Sequence, residues 1–242
     1  MRIIPAIDIR KGKVVRLIQG AVELETVYSD SPLDMAKKWA SYGVETIHIV
    51  DLDGAIEGSL KNFDIVKDIA KNVGVKIELG GGIRDEETID LALNAGIHRV
   101  VVGTKALDDD FLSKVSKRYA DKIIIGIDAK HGIVHTRGWL FKTGVTAIEL
   151  VKKVGGYGIK TINYTDISKD GTLEGPNLDS LKELLRSTSM EIVASGGVSG
   201  IEDLRKLCVM EKDGLKGIII GKALYENKID LKEAIKVCSQ KG

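Results

Sequence analysis

The chain has 242 residues, 43% of them hydrophobic and 29% charged, enough for one large domain or two modest ones. A formal net charge of +1 provides no global field for nucleic acid or an anionic membrane, so any anion must be held locally. No apolar run approaches the ~20 residues of a membrane span, no signal-peptide pattern opens the chain, and the two cysteines, Cys208 and Cys238, fall in helical patterns without metal-ligand spacing; the expected setting is the cytoplasm, with both thiols reduced and packed.

In chain order, an apolar run ends at Asp8, and a loop of mixed polarity runs to about Asp30. Ser31-Pro32 then opens a helix with a capping hydroxyl and a proline at its first position. Thr46 to Val50 reads as a strand ending at Asp51, Asn62 to Asn72 as a helix, and Val75 to Leu79 as a strand running into Gly80-Gly81-Gly82-Ile83-Arg84. Asp85 caps the next helix. Arg99 to Val102 is a strand before Gly103-Thr104, and Asp108 to Tyr119 a helix. The second half follows the same order. A strand ends at Asp128, and a loop carrying Arg137-Gly138-Trp139 leads to a helix over Thr146 to Val154. Lys160 to Tyr164 is a strand opening into Thr165-Asp166-Ile167-Ser168-Lys169-Asp170-Gly171-Thr172, with a helix after Asn177. Glu191 to Ala194 precedes Ser195-Gly196-Gly197, Gly217 to Ile220 precedes Gly221-Lys222, and Asp230 starts the last helix. Eight strand–helix units match an α/β fold of the (β/α)8 TIM-barrel type, whose usual length is ~250 residues.

The halves repeat one another. Ile3 to Val15 is echoed by Ile123 to Val134, and the aspartates closing the two apolar runs lie 128 − 8 = 120 positions apart. Asp51 answers Asp166 and Gly81-Gly82 answers Gly196-Gly197, both at an offset of 115, while Gly103 answers Gly221 at 118. This pattern predicts one domain over 1–242, built from half-barrels of roughly 1–121 and 122–242; four strands alone would leave open sheet edges, and no Pro/Ser-rich linker divides them. An aspartate at the C-terminal end of a buried strand is where the chain leaves the core and meets a ligand, so Asp8 and Asp128 are the expected chemical groups.

Matched glycine turns predict two anion sites. Ser195-Gly196-Gly197 and Gly221-Lys222 in the second half, and Gly81-Gly82 and Gly103-Thr104 in the first, place backbone N–H groups and hydroxyls where phosphate is cradled in such barrels. The alternative use of each glycine is steric, in the turn itself. Two opposed sites imply a small-molecule substrate phosphorylated at both ends.

The stretches Ile4-Pro5-Ala6-Ile7-Asp8, Val14-Val15-Arg16-Leu17-Ile18-Gln19-Gly20, His48-Ile49-Val50-Asp51-Leu52, Gly80-Gly81-Gly82-Ile83-Arg84, Thr165-Asp166-Ile167-Ser168-Lys169-Asp170-Gly171-Thr172-Leu173 and Ile220-Gly221-Lys222-Ala223-Leu224 closely resemble the histidine-biosynthesis isomerases that act on phosphoribosylformimino-5-aminoimidazole carboxamide ribotide. The resemblance spans essentially the whole chain. It implies an Amadori rearrangement, aminoaldose to aminoketose, without metal or organic cofactor. It also implies Asp8 as general base at C2, Asp128 as general acid at the ring oxygen, and Thr165 and Asp170 as orienting groups at the same mouth. Asp128 would need a raised pKa to carry its proton near neutrality.

By the same resemblance His48 lies near the substrate, a core histidine being the alternative. Trp139 would cover the aminoimidazole, and Arg84 would reach a phosphate or a carboxylate unless it is simply solvated. Asp51 and Asp166 orient either loops or substrate, Trp39 belongs to the core, and His98, His131 and His135 have no ligand role. Three rivals remain: the cyclase of the same pathway, whose pattern has a lysine where this chain has Arg16; a bifunctional isomerase also accepting phosphoribosyl anthranilate; and a non-catalytic phosphosugar-binding barrel. No nucleic acid, membrane or obligatory protein partner is expected.

Overall fold

Apolar runs too short for helices and rich in isoleucine and valine become strands buried on both faces. The computed structural model describes residues 1–239; the end of the expected second half-barrel, 240–242, lies outside the described residues. The strands are β1 (Arg2–Arg10), β2 (Lys13–Ile18), β3 (Ala21–Ser29), β4 (Thr46–Asp51), β5 (Lys76–Gly80), β6 (Arg99–Val102), β7 (Ile123–Lys130), β8 (Ile133–Thr136), β9 (Phe141–Thr146), β10 (Thr161–Asp166), β11 (Glu191–Ser195) and β12 (Leu215–Ile220). The α-helices are α1 (Pro32–Ala40), α2 (Leu52–Glu57), α3 (Phe63–Asn72), α4 (Glu86–Asn94), α5 (Asp109–Tyr119), α6 (Ala147–Gly155), α7 (Leu178–Arg186), α8 (Ile201–Cys208), α9 (Lys222–Tyr225) and α10 (Leu231–Ser239).

Eight strands pair in parallel in the order β1-β4-β5-β6-β7-β10-β11-β12, and β12 pairs back onto β1, with Ile3 beside Ile218 and Ile4 beside Ile219. The sheet therefore closes, and with the helices around it the fold is a (β/α)8 barrel. Helix starts follow the capping chemistry of the sequence. The Ser31 hydroxyl accepts from the Asp34 N–H ahead of Pro32, Asp85 accepts from the Thr88 N–H, and Thr146 and Glu149 form a reciprocal capping box.

Two segments expected as loops are antiparallel ribbons. β1 continues past the barrel rim to Arg10, turns at Lys11-Gly12 and returns as β2, which pairs with β3; β7 likewise turns at His131-Gly132 into β8 and then β9. Both residues of each tight turn have positive φ (Lys11 49°, Gly12 77°; His131 51°, Gly132 76°), the hairpin geometry that continues strand twist. The mixed polarity of 13–29 and 133–146 belongs to ribbons with an exposed face, which carry no continuous apolar run. A second difference is the short helix α2, started by the Asp51 carboxylate accepting from the Gly54 N–H and stopped at Gly58.

Inside the barrel, Ile4, Ala6, Val193 and Ile219 form a small apolar cluster. Across from it, His48, Glu78 and Arg99 stand on three adjacent strands in direct register. Glu78 is fully buried and accepts from the Arg99 guanidinium, with the His48 Nδ1 3.8 Å from its other oxygen. Burial opposes the charge of the Glu78 carboxyl, yet the adjacent His48 and Arg99 hold its pKa below the ordinary value.

Candidate active site

β1 and β7 are four places apart in a ring of eight, so the aspartates near their C-terminal ends face each other across the barrel. Asp8 and Asp128 both line a cavity of about 400 Å³ at that end. Asp8 accepts a hydrogen bond of 2.8 Å from the Arg16 Nη1. The β1–β2 hairpin brings Arg16 to it by placing Val15 opposite Asp8. Arg16 is buried, which opposes its charge, yet Asp8 and Asp170 hold its pKa above the ordinary value. Asp128 is the reverse case. Burial pushes its carboxyl up, offset in part by hydrogen bonding with Trp139 and Thr165 and by the nearby His48 and His135 rings.

Asp170 brings a third carboxylate into the same field. It lies in the loop after β10, whose backbone is tied to the β2–β3 turn by the Gln19 N–H donating to the Asp170 carbonyl at 3.1 Å. Burial raises the Asp170 pKa to about 6, Asp8 and Asp128 add to the rise, and Arg16 and Lys222 oppose it. Asp128 and Asp170 are thus both held above the ordinary carboxylate range, while Asp8 is paired with Arg16.

The residues expected at the two anion ends all line this mouth. Gly81, Gly82, Arg84, Gly103 and Thr104 line the main cavity beyond β5 and β6. Arg84 donates to the Ala55 carbonyl at 3.3 Å, and its pKa is lowered by burial and by the neighbouring Arg137. Among the described residues neither guanidinium is in an ion pair, so this end carries uncompensated positive charge, the condition that favours an anion. Gly171, Ser195, Gly196, Gly197, Gly221 and Lys222 line a smaller adjoining cavity of about 20 Å³ beyond β11 and β12. Arg16, Asp170, Ser195 and Ile219 line both cavities, so the two adjoin. The third and fourth barrel strands stand opposite the seventh and eighth. The line between the two ends therefore crosses the line from Asp8 to Asp128.

The glycine pairs have a steric cause that the sequence reading set second. At Gly81 (φ 89°) a β-carbon would fall 2.0 Å from the Asp51 carbonyl oxygen, and at Gly196 (φ 98°) one would fall 2.8 Å from that of Asp166. Each turn thus closes against the loop of the preceding strand. Gly103 and Gly221 differ: a β-carbon at Gly103 meets nothing within 4 Å, whereas one at Gly221 would strike the Arg16 guanidinium.

The remaining expected residues separate cleanly. His48, Thr165 and Trp139 line the main cavity, and the Trp139 indole packs on the Gly20 turn, so the two ribbons meet over the mouth. Trp39 is buried as expected, 3% exposed. Asp51 and Asp166 line neither cavity and organise loops. Asp51 accepts from the Gly54, Lys61 and Asn62 N–H groups and the Asn62 amide, and Asp166 from the Ser168 N–H and hydroxyl and the Asn177 amide. The partner asparagine stands 11 residues on in both cases (62 − 51 and 177 − 166). Among the cavity residues not singled out as site residues from the sequence are Arg16 and Arg137. Arg16 had a signal, since a basic residue shortly after a hairpin turn folds back onto the preceding strand. Arg137 had only its place beside Gly138-Trp139.

The profile of the family described as "Histidine biosynthesis protein" matches residues 2–230. A protein of Brevibacillus brevis is 50% identical over 232 residues, covering 96% of this chain and 93% of its own length. One of Thermodesulfovibrio yellowstonii is 50% identical over 243 residues (100% and 99%), and one of Thermoanaerobacter pseudethanolicus 48% identical over 238 (98% and 99%). Each of the three is named a 1-(5-phosphoribosyl)-5-((5-phosphoribosylamino)methylideneamino)imidazole-4-carboxamide isomerase. With a match of this extent, the chain belongs to the histidine biosynthesis protein family.

Proposed function

We propose that the protein is an isomerase of histidine biosynthesis that rearranges phosphoribosylformimino-5-aminoimidazole carboxamide ribotide from aminoaldose to aminoketose. The observation that carries this reading is the crossed arrangement at one cavity: two carboxylates on opposite strands, and two cation-bearing glycine ends on the transverse line. A substrate with a phosphate at each end spans the glycine ends, and its first ribose then lies between Asp8 and Asp128.

Asp128 is the general acid. Burial raises its pKa and so favours the protonated form, which gives its proton to the ribose ring oxygen as the C1–O bond breaks and the Schiff base forms. Asp8, aligned by Arg16, takes the proton from C2 to leave the enolamine, which tautomerises to the ketone. Thr165 sits beside Asp128 in register and holds its orientation. Trp139 covers the mouth and excludes water from the open-chain intermediate. Both steps are proton transfers between carboxyl groups and carbon or oxygen, within reach of positioned side chains alone.

The test is optical monitoring of the imidazole substrate with purified protein, followed by product identification. The reading requires conversion to the aminoketose and a KM that rises when either terminal phosphate is removed. A folded protein that leaves the substrate unchanged contradicts it.

A further inference from the structure

We propose that Cys208 and Cys238 form an intramolecular disulfide site on the outer helical layer, oxidised by peroxide-class oxidants. α8 ends at Cys208 and packs against α10, which carries Cys238. Their thiol sulfurs are in contact at 2.8 Å although the residues lie 30 positions apart. Bonding them asks for a shift well under the ~2 Å length of the bond itself. Both thiols are free.

Proximity and access favour an internal link over further oxidation, against burial and the Cys208 sulfur, which push the Cys238 thiol pKa up. Cys238 is 4% exposed, while Cys208 is half-buried, so an oxidant reaches Cys208 first and Cys238 waits against it. The Cys208 sulfur attacks one peroxide oxygen, the O–O bond breaks, and sulfenic acid and water form. The Cys238 sulfur then attacks the Cys208 sulfur, the S–O bond breaks, and the hydroxyl leaves as water with the Cys238 proton. Two thiols are oxidised by two electrons and one peroxide is reduced to two waters.

The position gives the bond leverage on the fold. The N-terminal ammonium donates to the Cys238 carbonyl at 2.8 Å and pairs with Glu211 at 3.3 Å, just beyond Cys208. The end of α8, the end of α10 and the start of β1 thus converge where β1 closes the barrel on β12. A cross-link here limits the unfolded chain and clamps that seam.

The experiment treats the reduced full-length protein with hydrogen peroxide. The expected result is loss of both thiols titratable after denaturation, a mass lower by about 2 Da and an unchanged elution volume. Tm should rise by roughly 5–10 °C. Activity should be unchanged, since neither cysteine lines the cavities. Cys208→Ser and Cys208→Ala, each melting near the reduced wild type, should show neither the mass loss nor the rise. Two thiols surviving treatment, a mass gain of about 32 Da from sulfinic acid at Cys208, or a disulfide-linked dimer would each overturn the proposal.

Discussion

The Arg16 guanidinium lies against Gly221 so closely that a β-carbon there would come within 1.9 Å of Nη2. One arginine therefore pairs with the Asp8 carboxylate and lines the smaller cavity. Gly221→Ala should displace Arg16 while leaving the barrel folded, because the obstructing atom is the far end of a flexible side chain. Steady-state kinetics should show kcat/KM lower by roughly tenfold or more, equivalent to about 1.4 kcal/mol, with Tm within a few degrees of wild type.

Gly81 and Gly103 separate steric glycines from those that leave room. Gly81→Ala forces a β-carbon onto the Asp51 carbonyl at positive φ, and should destabilise by about 3 kcal/mol or more. Tm should then fall by roughly 6–12 °C. Gly103 has φ −97° and open space, so Gly103→Ala should leave Tm unchanged and raise KM by roughly an order of magnitude as the methyl enters the anion end. Thermal melts and kinetics on both variants check the contrast.

Asp170 gives a pH signature of definite sign. Its folded pKa of about 6 is above the usual 3.8, so between these values the folded state binds more protons than the unfolded. The stabilisation from its protonated form is complete below the unfolded pKa and is lost as pH rises through about 6, by at most about 3 kcal/mol. Denaturant titrations of wild type and Asp170→Asn from pH 4 to pH 7 should show the variant's relative stability increasing with pH and levelling off above the folded pKa.

Asp51 holds the segment from β4 to α3 by four accepted hydrogen bonds and is fully buried. Asp51→Ala should cost about 3–5 kcal/mol by leaving those donors unpaired. Asp166→Ala, at the matching position with fewer accepted bonds, should cost less. Urea unfolding of the two variants measures the order.

The barrel strands were readable because burial on both faces writes itself as continuous apolar runs, as in Ile123 to Ile127 and Gly217 to Ile220, although the last strand begins two residues earlier, at Leu215. The outer ribbons were not, since Glu23, Glu25 and Thr26 on β3 read as loop when one face is in water. Capping residues such as Ser31, Asp85 and Thr146 carry their signal locally, so helix starts were placed well. The cavity-lining residues were readable where the sequence repeats: Asp8 with Asp128, and Gly81-Gly82 with Gly196-Gly197. Duplication does not distinguish substrate contact from loop-fixing, which is why Asp51 and Asp166 stayed open until their hydrogen bonds were seen. Arg16 escaped because its place depends on a hairpin whose turn, Lys11-Gly12, lies inside what read as loop.

The division of labour between the two aspartates is tested most directly by Asp8→Asn, with calorimetric binding of the imidazole substrate beside its turnover. Affinity should stay within a few-fold of wild type while kcat falls by about three orders of magnitude or more. Turnover persisting near the wild-type rate, or affinity and turnover falling together, would contradict the assignment of Asp8 as the base.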